Sequence, residues 1–383
     1  MVDQPYLNTA ATGSRLWDAV VVGAGPAGCA AAYDLAAAGQ SVLLLDKSSF
    51  PRPKACAGGL TVKAVNTLRY SIDPVVREVV TRIQLEGGPG LSSSLKSRKP
   101  ICVMTVRAEL DEFCLGKTVA AGACFRKITR LQQVAPSAEA LCLHTPEGIF
   151  QTRFLIGADG ANGQVRRLCA QGAWFTQGFA LEVQTPKPSQ AVDLTFDFAA
   201  VPGGYGWIFP KHDHLNVGVY SASSATGLNR NRLHAYVKAK LATDTGDHIT
   251  GQYLGFGAGE CDTNCVQPQL RGRVFLVGDA GGFVDALTGE GIYGALHSGQ
   301  AAASAILDET RGTAMAADTF AGYLSDYRQT LRFSSRAAAA FYASPSRGFR
   351  AMRLPFVRRT MVKTYTHGLN INSLAMRIAL SRC

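Results

Sequence analysis

Three features of the sequence predict an α/β fold with an inserted, mostly antiparallel β-sheet and a helical, basic C-terminal region. Residues 18–46 read as strand, glycine turn, helix and strand. Residues 178–265 carry alternating apolar stretches. Residues 328–383 mix basic with large apolar side chains and hold no acid. A chain of 383 residues, 47% of them hydrophobic, exceeds what one core usually fills, so interleaved domains are expected.

The first unit is the most specific. Ala19-Val20-Val21-Val22 is an apolar run suited to a buried strand, and Gly23-Ala24-Gly25-Pro26-Ala27-Gly28 follows it as GxGxxG. An alanine-rich helix is expected over residues 29–38 and a second strand over 41–45, closed by Asp46. This is the Rossmann-like context of a dinucleotide fingerprint. Gly23 permits the tight turn, Gly25 lets the backbone approach a pyrophosphate, and Gly28 lets the helix pack on the sheet. The pyrophosphate would then meet unpaired N–H groups at a helix N-terminus. Asp46, with Lys47 after it, stands where a ribose hydroxyl is held; its charge disfavours a 2′-phosphate, which points to FAD or NAD rather than NADP.

The net charge of +11 resides at one end. Eleven Lys or Arg fall in residues 328–383, and the rest of the chain balances 28 basic with 28 acidic residues. Interspersed Phe333, Phe341, Phe349, Leu354, Phe356 and Met361 suit an anionic membrane surface better than nucleic acid, for which no motif is present. A helical layer with a solvated basic face is the other reading. No apolar run is long enough to span a bilayer, and no signal peptide is recognisable. A cytoplasmic chain is expected, peripheral on the inner membrane face if the tail binds lipid. The ten cysteines are read mainly as small core residues rather than disulfides; Cys261 and Cys265 lack further ligands nearby, so no metal is expected.

Between these regions the elements follow in order. Pro51-Arg52-Pro53-Lys54-Ala55-Cys56-Ala57-Gly58-Gly59 forbids helix and permits close backbone approach. A helix is expected over 61–70, a strand and loop over 83–97, a strand over 103–106 ending at Arg107, a helix over 109–121, and a hairpin within 124–144. A strand over 150–156 runs into Gly157-Ala158-Asp159-Gly160. Strands are expected at 179–183, 192–198, 207–210 and 216–220, with a helix over 233–241. The strand 274–277 leads into Gly278-Asp279, then Gly289-Glu290-Gly291-Ile292 and a helix to about residue 307. The expected domains are 17–82, 100–177 and 266–310 for the dinucleotide, 83–99 and 178–265 for the substrate, and 311–383 as the helical basic region.

The fingerprint, the Gly157–Gly160 motif and Gly278-Asp279 together resemble FAD-binding flavoproteins of the p-hydroxybenzoate hydroxylase type. The resemblance implies that Lys54, Arg107, Asp159 and Gly160 support the cofactor and that Gly278-Asp279 holds the ribityl chain. It also implies that Gly291 and Ile292 begin a helix near flavin N1 and O2, and it removes NAD as the primary ligand. Pro202-Gly203-Gly204-Tyr205-Gly206-Trp207-Ile208-Phe209-Pro210 resembles the PxxYxWxFP pattern of geranylgeranyl reductases. The loop at 51–59 resembles their PRxKxCGGG, with Ala57 in place of a glycine.

That resemblance implies an FAD-dependent oxidoreductase of lipid metabolism that saturates carbon–carbon double bonds of an isoprenoid lipid or prenyl chain by hydride transfer from flavin N5. Tyr205, Trp207 and Phe209 alternate along a strand, share a face and would wall an apolar slot. Cys56 and Tyr205 are the candidate proton donors, with Trp207 beside them. Electrons would come from NAD(P)H or from ferredoxin. An FAD monooxygenase of an aromatic or lipophilic substrate and a non-catalytic flavin-binding membrane-surface protein are the alternatives.

Overall fold

A computed structural model describes residues 15–223, 227–244, 248–259 and 265–368. Most of the N-terminal leader, Cys261, and the tail residues Arg377 and Arg382 lie outside them. Cys265 is disulfide-bonded, a departure from the expectation of free thiols.

The first sheet has seven strands. Cys124–Lys127, Val42–Asp46, Leu16–Val22, Gly148–Gly157 and Val274–Leu276 run parallel, and Leu141–Thr145 and Gln133–Pro136 continue it antiparallel from Gly148–Gly157. Val20, Val21, Leu43, Leu44 and Leu45 are all fully buried, as consecutive apolar residues must be when both faces are covered. Helix Pro26–Ala37 begins at the fingerprint proline, which suits a first helical position. It packs against helix Ile292–Thr310 through small residues; a Cβ on Gly299 would lie 2.3 Å from the Ala27 carbonyl oxygen.

The second sheet has the order Thr250–Phe256, Thr176–Pro186, His214–Ser221, Gly204–Pro210, Leu194–Asp197, Arg82–Glu86, Ser92–Lys96. All pairs are antiparallel except Leu194–Asp197 with Arg82–Glu86. One face packs on helix Arg230–Leu241 through Ile208, Val217, Leu233 and Val237. The other presents Tyr205, Trp207 and Phe209. A three-stranded sheet of Gly59–Thr61, Cys102–Thr105 and Val76–Val80 supports the loop at 51–58. There Thr105 donates to the Gly58 carbonyl from both N–H (2.8 Å) and Oγ1 (3.0 Å).

Several boundaries differ from expectation for local reasons. The helix expected over 61–70 is Val62–Thr67, because the Thr61 hydroxyl caps it and Leu68 is extended. Helix Arg107–Ala120 starts at Arg107 itself. The expected strand and loop at 83–97 is a two-stranded hairpin. Cys124–Lys127 joins the parallel sheet rather than a hairpin, and strand Val76–Val80 carries too little apolar alternation to be legible.

Helices Ala316–Tyr323, Ser325–Ala343, Pro345–Met352 and Pro355–His367 complete the described chain. None is long and apolar enough to cross a membrane. The last three close over the second sheet. Phe349 is 0% exposed, with its ring 2.5 Å from where a Gly87 Cβ would stand; the Tyr342 hydroxyl donates to the Leu287 carbonyl at 2.6 Å; Arg358 donates to the Ser94 carbonyl at 2.7 Å. Phe349→Ala is expected to lower the unfolding free energy by about 3–5 kcal/mol in urea titrations, as loss of a fully buried aromatic ring does.

Candidate functional site

The three glycine motifs converge on one point. Gly23 has φ +107°, and a Cβ there would meet the Ala158 carbonyl oxygen at 2.3 Å; a Cβ on Gly28 would meet the Gly23 carbonyl oxygen at 1.8 Å. A Cβ on Gly278 would stand 2.9 Å from that of Ala27, so the third motif abuts the first turn of the same helix. That helix has no side-chain cap, which leaves its N-terminal N–H groups for an anion. The Asp46 carboxylate accepts from Ala24 N–H (2.7 Å) and Ser48 N–H (2.8 Å), with lone pairs remaining for a ribose; Lys47 beside it is exposed. Asp159 caps helix Gln164–Cys169, accepting from Gln164 N–H (2.5 Å) and Val165 N–H (3.0 Å), and Gly160 turns the chain away from it.

A charged cluster lies beside this turn. Arg107, at the head of its helix, makes a bidentate ion pair with the buried Asp111 (3.0 and 3.1 Å), and Arg52 shares that carboxylate at 3.2 Å. A Cβ on Gly25 would lie 3.3 Å from Arg52 Nη2, so this guanidinium overhangs the glycine turn. Burial raises the pKa of Asp279 while Lys54 and Arg107 pull it back, which places all three at one site. Asp279 Oδ1 lies 3.4 Å from where a Gly291 Cβ would stand. Gly291 precedes helix Ile292–Thr310, whose N-terminus also lacks a side-chain cap. Arg52 Nε and Asp159 Oδ1 are buried without a partner among the described residues. Two uncapped helix ends, an overhanging guanidinium and these orphaned polar atoms fit a flavin dinucleotide. Arg52 and Asp111 were not singled out from sequence; an ionic residue one helical turn after Arg107 was the available signal.

Next to this cradle lies a cavity of about 380 Å³ with a largely apolar lining. Cys56, Ala57 and Gly58 form one side, Gly289–Ile292 another, and Tyr205, Trp207 and Phe209 the sheet wall. The wall is pinned: Trp207 Nε1 donates to Asn216 Oδ1 at 2.7 Å, and the Tyr205 and Tyr220 hydroxyls donate to the carbonyls of Thr288 (2.5 Å) and Ala286 (2.9 Å). Burial raises both tyrosine pKa values well above the usual phenol range. Tyr205, a candidate proton donor from sequence, lines the cavity and through its bond to Thr288 ties the strand to the Gly289 turn. The fourth side was not legible. Phe341, Met352, Val357, Met361 and Tyr365 reach it from the C-terminal helices.

Two buried ionisable groups underlie the Cys56 loop, and the sequence reading missed both. Glu182, on strand Thr176–Pro186, takes the Cys56 backbone N–H, and burial raises its pKa. Lys211 Nζ donates to the Ala57 carbonyl at 2.6 Å, and burial lowers its pKa from the ordinary 10.5 to about 8. The unfolded chain therefore binds a proton at Lys211 that the folded chain has released between those values, so stability gains with rising pH there. The unfolding free energy of wild type relative to Lys211→Met is expected to rise from pH about 8 to about 10.5 in urea titrations. A pH-independent difference would show that Lys211 titrates normally.

The FAD binding domain family model matches residues 17–328. An uncharacterized protein of Methanosarcina barkeri is 36% identical over 298 residues, covering 76% of this chain and 75% of that protein. The chloroplastic geranylgeranyl diphosphate reductase of Oryza sativa subsp. japonica is 28% identical over 342 residues, covering 82% and 72%. The crystal structure of a geranylgeranyl bacteriochlorophyll reductase-like protein from Thermoplasma acidophilum superposes with a TM-score of 0.73 at 21% identity, covering 92% and 91%. With its three cofactor motifs gathered at one cleft, the chain belongs to the FAD binding domain family and is an FAD-dependent oxidoreductase with geranylgeranyl reductases among its relatives.

Proposed function

We propose that the protein saturates double bonds of an isoprenoid lipid or prenyl chain bound in this cavity. The observation that carries the reading is the adjacency of the flavin cradle to an apolar cavity walled by Tyr205, Trp207 and Phe209. A prenyl chain offers almost no hydrogen-bonding group, so its binding rests on burial, about 0.8 kcal/mol per CH2 before entropic costs. Reduced FAD, when bound, supplies the hydride.

The chain's own residues divide the remaining tasks. Gly23, Gly25, Gly28, Asp46 and Lys47 hold the dinucleotide end, with Lys54, Arg107, Asp159 and Gly160 around it and Gly278, Asp279, Gly291 and Ile292 at the flavin end. Trp207 and Phe209 orient the substrate, and Tyr205 supports that wall. Cys56 is the candidate proton donor, since it lines the cavity on the loop nearest the cradle. The electron donor is NAD(P)H or ferredoxin.

The C-terminal region suits a membrane face. Phe356 is 67% exposed and Leu354 46%, beside the exposed Arg350, Arg353, Arg358 and Arg359. Val357, Met361 and Tyr365, on the same helix, line the cavity. A bilayer would thus meet a helix whose inner side touches the substrate, each cation contributing about 1 kcal/mol at an anionic leaflet.

Three outcomes are expected. Anaerobically reduced protein should add two hydrogens per double bond to a geranylgeranyl lipid, read by mass spectrometry; incorporation of an oxygen atom would instead establish the monooxygenase reading. Trp207→Ala should raise KM for that lipid about ten- to hundredfold, the worth of one large apolar contact. At low salt the protein should sediment with phosphatidylglycerol vesicles and not with neutral ones. Replacing Arg353, Arg358 and Arg359 by Gln should weaken that binding, and failure of the wild-type protein to sediment with phosphatidylglycerol vesicles would exclude the membrane face.

A further inference from the structure

Lys211 follows the aromatic strand directly and is 2% exposed. Its Nζ contacts the Ala57 carbonyl at 2.6 Å and the Met104 sulfur at 3.6 Å, and would stand 3.1 Å from a Cβ on Gly58. No carboxylate among the described residues lies within ion-pair distance of it. A buried ammonium without a contacting counter-ion is costly, and a methionine would fill much the same space without that cost. The fold therefore retains a charge here that packing does not require.

The surroundings indicate where the charge acts. Of the titratable groups around Lys211, Cys56 acts on it most strongly, ahead of Glu182, Cys102 and Glu78. The Arg107 guanidinium reaches the Cys56 side chain independently. The Gly58 N–H donates to Cys56 Sγ at 3.4 Å. Two cations thus act on a single sulfur that faces the cavity, and one backbone N–H donates to it.

We propose that Lys211 is a positioning residue for proton transfer: with Arg107 it holds the negative charge left on Cys56 Sγ when the thiol protonates the substrate. The proposal rests on the reductase reading. The S–H bond breaks and its electron pair stays on sulfur. The proton forms a C–H bond at the alkene carbon adjacent to the one that takes the hydride, whose two electrons come from reduced flavin. The thiolate then regains a proton from water. Lys211 also fixes the loop sterically through Ala57, so charge and position are supplied by the same atom.

The test measures alkylation of Cys56 by iodoacetamide at neutral pH, located by peptide mass spectrometry with Cys56→Ser as baseline. It compares wild type, Lys211→Met and Lys211→Arg. Lys211→Met is expected to slow alkylation about tenfold or more, and Lys211→Arg to retain most of the wild-type rate. Alkylation of Lys211→Met at the wild-type rate, or loss in both variants alike, would overturn the proposal in favour of packing. Should the arginine variant fail to fold, the pH profile of alkylation decides instead: loss of the charge moves the Lys211→Met midpoint above that of wild type, whereas loss of packing lowers the rate without moving the midpoint, which would overturn the proposal. Single-turnover reoxidation of the reduced protein by a geranylgeranyl lipid should fall in parallel; slowed alkylation with undiminished reoxidation would also overturn it. If wild type reduces no prenyl alkene, the reductase reading fails, and the alkylation series separately reports the coupling of Lys211 to Cys56.

Discussion

Close backbone contact at the fingerprint is the constraint from which the rest of the site follows. Gly28 rests on the Gly23 carbonyl, Gly23 on the Ala158 carbonyl, and Gly278 on Ala27. Any side chain at these positions would push the first helix off its sheet and separate motifs that lie more than 100 residues apart in sequence. The first two contacts are to backbone carbonyls and the third to the Ala27 methyl; with Gly299 against the Ala27 carbonyl, they fix helix Ile292–Thr310 against helix Pro26–Ala37 and so bring the uncapped N-termini of both helices to one cleft. The fold thereby presents partial positive charge at two points of an extended anionic cofactor before any side chain is counted.

The cavity beside this cleft has a different origin. Its walls come from the sheet, the Cys56 loop, the Gly289 turn and the C-terminal helices. Hydrogen bonds from buried phenols to carbonyls join these pieces: Tyr205 to Thr288, Tyr220 to Ala286 and Tyr342 to Leu287. The hydroxyls are satisfied by backbone, so the rings are left to present apolar surface. This is how a wall rich in tyrosine can accommodate a hydrocarbon.

Charge is confined to the margin of that apolar space and is concentrated under one loop. Asp111 pairs with both Arg52 and Arg107, Asp279 answers Lys54 and Arg107, and Lys211 and Glu182 grip consecutive backbone groups at Ala57 and Cys56. Burial in such a setting strengthens each interaction and penalises each unpaired group. The loop is consequently among the most constrained parts of a site whose substrate wall is otherwise held by packing.

Local sequence determined the cofactor unit. The strand–turn–helix–strand pattern, the motifs at Asp159 and Asp279, and the period-two aromatics at 205, 207 and 209 depend on interactions between near neighbours or on the pleat, and they were readable without a partner. Tertiary structure decided the rest. The hairpin at 82–96 joins the second sheet through a parallel pairing that no local periodicity encodes. The basic tail, read from composition as a surface layer, also lines the cavity, because Phe349 seats against Gly87 and carries the following helix with it. Tyr205 ties its strand to the Gly289 turn because its hydroxyl donates to a carbonyl 83 residues away. Arg52, Asp111, Glu182 and Lys211 gained their roles only by burial beside one another, a long-range electrostatic condition that spacing along the chain does not record.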